Sequence, residues 1–266
     1  MSEPSASPGG SPPPPQAADP VGAAISAALW AVGVGWIVLT LPPLTLLYRL
    51  FGSHRVDALT RLYTRGQVAL TTARWEAIVD PAVDPGRPYV FVQNHVNVLD
   101  HVTMYASTPH FKQGIELEDH FKIPFYGWFM KARGTIPVNR SSRTDLARLM
   151  KRAREEIEAG RSLLAFPEGT RSRDGRVHPF HTGIFHIARA LGVPVVPVAV
   201  TGMSDVLRTG EHRFRPFQRV TVHVLAPIET AGLTRADVDA LAETCRQQIS
   251  ARVDAWIDRS TPGGAR

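Results

Sequence analysis

The stretch Tyr89-Val90-Phe91-Val92-Gln93-Asn94-His95-Val96-Asn97-Val98-Leu99-Asp100 decides the fold of this chain. Its apolar beginning predicts a strand, and the polar residues follow where that strand ends. In α/β enzymes this edge of the sheet carries the chemistry. The imidazole of His95 can accept a proton near neutral pH, and the carboxylate of Asp100 can orient that ring. The stretch therefore predicts an α/β fold with a candidate site at a strand end.

His95 and Asp100 can meet only if the chain turns between them. Five positions of a regular helix turn through about 140°, which would place the two side chains on different faces. We therefore expect a turn or a strand-to-helix junction here. In the catalytic interpretation, His95 takes a proton from a substrate hydroxyl and Asp100 holds its Nδ1. In the structural alternative, His95 ends the strand and Asp100 caps the following helix.

The composition suits one α/β domain with an accessory segment, since the chain has 266 residues. Its net charge of +6 favours nucleic acid, anionic lipid or phosphorylated substrates, although so modest an excess also accounts for simple solubility. Cys245 is the single cysteine, so the chain can form neither an internal disulfide nor a cysteine-based metal site. We interpret Cys245 as a core residue.

The N-terminal region predicts a membrane anchor. Residues 1–20 are rich in Ser, Pro, Gly and Ala and predict a disordered tail. Residues 21–48 carry no charge and are long enough to enter a bilayer as a helix, which Pro42-Pro43 is expected to stop or kink. A span and a re-entrant loop both remain open, and a buried core helix is the alternative.

Charge around the apolar segment predicts its orientation. Four arginines follow the segment, whereas Glu3 and Asp19 precede it. The positive-inside rule therefore places the main domain on the cytoplasmic face of the cell membrane. Residues 49–74 predict an amphipathic helix at the lipid surface, because apolar residues recur at helical spacing between arginines. An ordinary helix packed on the domain is the alternative. The apolar residues of this pattern are Val56, Leu59, Tyr63 and Leu70.

The main domain is predicted to cover residues 75–260, with 261–266 as a tail. Strands are expected at 89–92, 162–166, 195–200 and 220–225, and helices at about 146–157 and 234–258. This alternation predicts an α/β fold with a mixed, largely parallel sheet flanked by helices. The two prolines in the run Val193-Pro194-Val195-Val196-Pro197-Val198 favour an edge or a barrel-like strand entry over a central strand.

Two further motifs carry arginine. In Phe166-Pro167-Glu168-Gly169-Thr170-Arg171-Ser172, the glycine allows close approach to a ligand, and the guanidinium matches phosphate oxygens. The glutamate of that motif could bind a substrate hydroxyl or orient the arginine, and a surface turn with a Glu–Arg ion pair is the alternative. The run Gly134-Thr135-Ile136-Pro137-Val138-Asn139-Arg140 ends in a second candidate phosphate ligand or in an exposed loop arginine.

Four motifs in this order resemble the glycerolipid acyltransferase family, which contains the 1-acylglycerol-3-phosphate O-acyltransferases. Residues 94–100 match its N-H-x4-D block, and 134–140 match G-x-[IV]-x-[IV]-x-R. Residues 166–172 match F-P-E-G-T-R-S in full, and 193–198 match V-P-[IV]-x-P-V. The resemblance covers about residues 75–228 and rests most strongly on the third block.

The resemblance implies transfer of a fatty acyl group from acyl-CoA or acyl carrier protein to a lysophospholipid hydroxyl, giving phosphatidic acid from 1-acylglycerol 3-phosphate. No cofactor, metal or nucleic acid is implied, and the membrane supplies the lipid partner. His95 and Asp100 would be catalytic. The substrate-binding residues would be Arg140, Glu168, Gly169, Thr170 and Arg171. An apolar acyl groove is also expected, and its candidate lining, which equally suits a core or a membrane-facing patch, is Phe121, Phe125, Trp128 and Phe129.

Three departures from the family pattern concern the acceptor. Asn97 stands where the family often has serine, His181 where it often has lysine, and Ile115 where a lysine often precedes a Glu-Leu pair. We therefore keep acyltransfer to glycerol 3-phosphate, another lysophospholipid or an aminolipid as alternatives. A non-catalytic membrane-surface binding protein and a metal hydrolase using the clustered histidines are remoter ones. That cluster is His178, His181 and His186.

Overall fold

The computed structural model describes residues 19–139 and 143–260, and seven strands of this part form one sheet. The strands are β1 (Arg74–Val79), β2 (Val90–Gln93), β3 (Lys112–Leu117), β4 (Ile136–Val138), β5 (Ser162–Ala165), β6 (Val195–Thr201) and β7 (Arg219–Val224). Their order across the sheet is β1-β7-β6-β2-β5-β3-β4. Neighbouring strands are parallel except β6 and β7, which are antiparallel. The predicted mixed, largely parallel sheet is confirmed.

Eight α-helices surround this sheet in the described ranges. They are α1 (Pro20–Phe51), α2 (Asp57–Leu70), α3 (Asp100–Ser107), α4 (Tyr126–Arg133), α5 (Arg143–Glu158), α6 (Gly183–Leu191), α7 (Met203–Val206) and α8 (Val238–Ser260). The predicted helices near 146–157 and 234–258 therefore correspond to α5 and α8. The predicted tail at 261–266 lies outside the described residues.

The core lies on both faces of the sheet, which explains the unbroken apolar runs of the central strands. Val90 of β2 packs with Ile187 of α6 and Cys245 of α8 on one face. Phe91, the next residue, packs with Met104 of α3 on the other face. The central strands are therefore apolar on both faces over most of their length, and the interpretation of Cys245 as a core residue is confirmed.

The prediction that the prolines mark an edge strand is wrong. β6 lies between β2 and β7, and all seven of its residues are buried. Pro194 precedes the strand. Pro197 lies at the end of the β6–β7 ladder, because Leu225 N–H donates to its carbonyl at 2.9 Å and the first ladder pair is Val198 with Val224. The donor that proline lacks is therefore missing only where the pairing ends.

Helix α1 does not stop at Pro42-Pro43 but continues to Phe51. Residues 41–48 pack against Phe129 and Met130 of α4, and this tertiary contact holds the helix where two backbone donors are absent. Its beginning also differs from the prediction. Asp19, assigned to the tail, accepts a hydrogen bond from Gly22 N–H at 2.9 Å and caps the helix. Residues 1–18 lie outside the described part.

Much of α1 is uncovered by protein. It is, among the described residues, the one helix long and apolar enough to cross a bilayer by length and composition. Its exposed apolar side chains are Val21, Ile25, Val32, Val34, Val38, Leu39, Leu46, Leu50 and Phe51. In α2, the side that faces the domain carries Asp57, Thr60, Thr64 and Val68, and Leu59 and Leu62 are exposed. The domain thus covers the more polar side of α2.

Candidate active site

His95 and Asp100 meet at the junction between β2 and α3, as the turn hypothesis requires. His95 Nδ1 lies 2.8 Å from Asp100 Oδ2, and the same oxygen accepts hydrogen bonds from the N–H groups of Val96 at 2.6 Å and Asn97 at 2.8 Å. Asp100 is the first residue of α3 and is fully buried. A carboxylate accepts, so Nδ1 is the donor and Nε2 is left with its lone pair.

The imidazole of His95 is held by stacking on one face as well as by the hydrogen bond at Nδ1. The ring of Phe166 stacks on the His95 ring with centroids 4.2 Å apart. Ser172 N–H donates to the His95 carbonyl at 2.7 Å, which joins the two motif loops. The His95 side chain remains 23% exposed. The ring is therefore oriented by packing and still open to a ligand.

Glu168 fastens the site from the interior. Its Oε1 accepts from His95 N–H at 2.7 Å, and its Oε2 accepts from His178 N–H at 3.0 Å. Burial raises the pKa of this carboxyl, and the two main-chain donors act against that rise. The carboxylate thus bridges the loop after β2 and the segment that leads to α6. No ion pair joins Glu168 to Arg171 in the described residues, so the predicted surface Glu–Arg turn is not formed.

Gly169, Thr170 and Arg171 line a cleft of about 580 Å³ together with His95. Gly169 has φ of 72°, a backbone conformation that favours glycine, and the turn presents the next two residues to the cleft. The Arg171 side chain is exposed and has no protein partner within residues 19–139 and 143–260. The cleft therefore joins the imidazole to an unpaired guanidinium.

The other part of the cleft is apolar, but its lining differs from the prediction. Phe121, Phe125, Trp128 and Phe129 do not line it. Phe129 packs on Tyr48 of α1 instead, with ring centroids 5.4 Å apart. Aliphatic side chains from five elements take their place. They are Ile115, Leu117, Val138, Leu149, Ala165 and Ile184.

The remaining predicted positions have different fates. Arg140 lies outside the described residues, whereas Val138 of the same motif lines the cleft. Asn97 does not face the cleft, because its buried amide donates to the carbonyls of Met203 at 3.0 Å and Leu207 at 2.7 Å. The presence of asparagine at position 97, where the family often has serine, therefore affects the support of the loop and does not affect the surface of the cleft.

The sequence patterns do not identify a second imidazole–carboxylate pair in the cleft. His120 Nδ1 lies 2.7 Å from Glu116 Oε1, and both residues line the cleft. Their four-residue spacing carries no distinctive signal outside a predicted helix. Within residues 19–139 and 143–260, no three histidine, cysteine, aspartate or glutamate side chains gather into a group that could hold a metal ion.

The chain resembles known acyltransferases over its main domain. A family model described as Acyltransferase matches residues 74–201. A chloroplastic 1-acyl-sn-glycerol-3-phosphate acyltransferase of Brassica napus is 35% identical over 163 residues, covering 61% of this chain and 46% of that protein. The beta form from Homo sapiens is 31% identical over 66% of this chain and 63% of that protein. The chain thus spans about half the length of the plant relative.

A solved structure shares the fold. The 1-acyl-sn-glycerophosphate acyltransferase of Thermotoga maritima superposes with a TM-score of 0.76, covering 90% of this chain and 98% of that one. The two sequences are 20% identical. This likeness establishes a common fold.

Proposed function

We propose that this chain is a member of the acyltransferase family and that it is a membrane-associated O-acyltransferase. Its reaction would move a fatty acyl group from a thioester, acyl-CoA or acyl carrier protein, to the hydroxyl of 1-acylglycerol 3-phosphate, giving phosphatidic acid. The observation that carries the proposal is the His95–Asp100 pair, whose Nδ1 is fixed at 2.8 Å while Nε2 is left for a substrate. The names of the relatives support this acceptor.

The proposed chemistry needs one base and no covalent enzyme intermediate, because a thioester is already activated. His95 Nε2 takes the proton of the acceptor hydroxyl as that oxygen attacks the thioester carbonyl. The new C–O bond forms, the C–S bond breaks, and the departing thiolate takes the proton back from the imidazolium. Asp100 stabilises the imidazolium between these steps. No cofactor is required for this sequence.

The polar part of the cleft would hold the acceptor's phosphate. Arg171 offers an unpaired planar guanidinium, and Gly169 and Thr170 border the same space. Arg140 is proposed as a second ligand from the sequence motif. Glu168 is better suited to positioning than to substrate contact, since both its oxygens accept main-chain N–H groups.

The apolar part of the cleft would hold an acyl chain. Six aliphatic side chains line it, and burial of a hydrocarbon chain there contributes about 0.8 kcal/mol per methylene. The polar and apolar parts share one cleft with His95. An acyl chain and a phosphate would therefore bind in the same cleft that His95 lines, which brings the reacting groups to the base.

Membrane association is proposed from the exposed apolar side of α1 and the exposed leucines of α2. The arginines that follow the apolar segment favour the cytoplasmic face of the cell membrane. Such an anchor would keep the domain beside its lipid acceptor and product.

The test is product identification with wild-type protein. Membranes that contain it are incubated with labelled acyl-CoA, or with labelled acyl carrier protein, and with a panel of acceptors. The panel comprises 1-acylglycerol 3-phosphate, glycerol 3-phosphate, neutral and phosphodiester lysolipids, and an aminolipid. We expect labelled phosphatidic acid, absent from a matched His95→Ala preparation. Labelling of another acceptor alone would overturn the acceptor assignment, and equal labelling by His95→Ala would overturn the mechanism.

A further inference from the structure

Three imidazoles line the cleft, and their surroundings differ. His95 is bound to Asp100 at 2.8 Å, and His120 is bound to Glu116 at 2.7 Å. The ring of His181 has no protein partner among residues 19–139 and 143–260. His181 is thus the imidazole whose charge no carboxylate already satisfies.

Arg171 also lines the cleft and also lacks a protein partner among the described residues. It is the single arginine or lysine among the described residues that line the cleft, and its guanidinium is likewise unpaired there. By contrast, Arg176, on the same connecting segment, lies 2.8 Å from Asp254. The main chain holds the two cleft residues in register, because His181 N–H donates to the carbonyl of Pro167 at 2.8 Å. An unpaired guanidinium and an unpaired imidazole therefore border one space.

We propose that protonated His181 binds the acceptor's phosphate beside Arg171, so that acceptor binding weakens as the pH rises. This inference rests on the proposed function, since it assumes a phosphate-bearing acceptor. A phosphate monoester carries close to two negative charges at neutral pH, whereas the described lining offers one permanent positive charge. The protonated form of a histidine carries one positive charge, so a protonated His181 would supply the second charge.

The other charged groups around the cleft do not supply this charge. Glu116 and His120 pair with each other, and His95 is oriented by Asp100. Glu168, behind the same loop, directs both oxygens to main-chain N–H groups. A dianionic headgroup would therefore gain most from His181, and a phosphodiester or neutral headgroup would gain less.

The test compares the Michaelis constant for 1-acylglycerol 3-phosphate in wild type and His181→Lys. Both are assayed in neutral detergent micelles at a fixed acyl-CoA concentration, from about pH 6 to about pH 8. Lysine stays charged across this range. We therefore expect the ratio of the wild-type KM to the variant KM to rise about tenfold with pH, the size of one charge-assisted hydrogen bond. Titration of the phosphate itself cancels in this ratio, and kcat should keep a pH-independent ratio.

Two further variants separate this role from a general effect of substitution. His181→Gln should raise KM about tenfold near pH 6 and change it less near pH 8, because glutamine cannot carry the positive charge that the proposed contact requires. His186→Gln, which alters an imidazole of α6 outside the cleft, should follow the wild type at every pH.

Several outcomes would overturn the inference. A wild-type to His181→Lys KM ratio that stays constant with pH would do so while the proposed function stands. The same holds if His186→Gln reproduces the effect of His181→Gln. Acylation confined to acceptors without phosphate would overturn the proposed function as well, and product identity would show this before any KM is measured.

Discussion

Asp57 and Asp100 begin two helices that pack against each other, yet their surroundings are opposite. Each is the first residue of its helix, α2 or α3, and each is buried. Asp100 accepts from an imidazole and two main-chain N–H groups. Asp57 forms ion pairs with Arg61 and, at 3.3 Å, with Arg133. A carboxylate at a helix N-terminus is favoured by the helix dipole in both places, so the difference lies in the partners.

The two regions differ in one partner of each carboxylate, His95 for Asp100 and Arg133 for Asp57, whereas Arg61, the second partner of Asp57, is partly exposed like His95. His95 is partly open to the cleft, whereas Arg133 is 2% exposed. The guanidinium of Arg133 also donates to the Lys112 carbonyl at 2.9 Å and lies over the rings of Tyr105 and Phe111. Asp100 therefore orients a group that can meet a substrate. Asp57 completes a closed network that joins α2 to α4 and β3.

The largest effect is expected from Asp100→Asn. The amide would keep the loop's main-chain contacts in part but could not stabilise the imidazolium. We expect kcat to fall about 10²–10⁴-fold while the folded population persists. Single-turnover acyl transfer and circular dichroism measure the two quantities. A kcat within a fewfold of wild type would contradict the proposal that Asp100 acts on the reaction through His95.

The same substitution at Asp57 should act on stability instead. Asp57→Asn leaves the buried guanidinium of Arg133 without its carboxylate, which typically lowers the free energy of unfolding by about 3 kcal/mol or more. Urea denaturation in detergent measures this loss, with kcat per folded molecule expected to stay within a fewfold of wild type.

A double variant, Asp57→Asn with Arg133→Met, provides the control, because removing both charges should recover part of the stability. Additive losses would show that the two side chains do not interact energetically. In that case the closed network would not account for the contrast with Asp100.

Lys112 gives the buried region a pH dependence of its own. Burial lowers the pKa of Lys112 to about 7, against about 10.4 for an unfolded lysine. Between these values the folded chain binds fewer protons than the unfolded chain. The Lys112 contribution to the free energy of unfolding therefore rises with pH, by up to about 1.4 kcal/mol per unit.

Lys112→Met should remove this rise, since methionine does not titrate. Urea midpoints between about pH 7 and pH 10 check it, with the difference between wild type and variant cancelling the other titrating groups. Parallel curves would show that Lys112 keeps its proton inside the fold.

The smallest effect is expected from Asn97→Ser. Asn97 belongs to the loop that carries His95, but its side chain makes buried contacts, as that of Asp57 does. A serine cannot reach both carbonyls, so we expect the free energy of unfolding to fall by about 1–3 kcal/mol. The acceptor preference should not change, because the side chain faces away from the cleft. A changed acceptor profile in the panel assay would place Asn97 on the functional side of the comparison.

Local patterns predict one of these regions far better than the other. The strand before His95 follows from an apolar run, and the pairing of His95 with Asp100 follows from their residue types and from the turn expected between them. The patterns do not predict β3, because its first residues, Lys112 and Gln113, are polar yet buried. The Lys112 ammonium donates to the main-chain carbonyls at 108 and 110, and the Gln113 side-chain amide donates to the carbonyl of Arg133.

The side to which a polar residue points is similarly hidden from local patterns. Asn97 lies within a recognisable motif, but its partners are more than a hundred residues away. The aliphatic lining of the cleft comes from separate elements that meet only in the fold. The sheet and the His95–Asp100 contact could be predicted because their signals are local, whereas the support and shape of the site depend on long-range contacts.

The bridge made by Glu168 has a consequence for protein engineering. The carboxylate of Glu168 accepts hydrogen bonds from the main-chain N–H groups of both His95 and His178. We therefore expect the loop after β2 and the loop that contains Glu168 to keep their geometry only when they are exchanged together. A chimera that takes residues 166–172 from a relative without the matching residues 94–100 would remove one side of this contact. Chimeras designed to change the acceptor should therefore exchange both loops together.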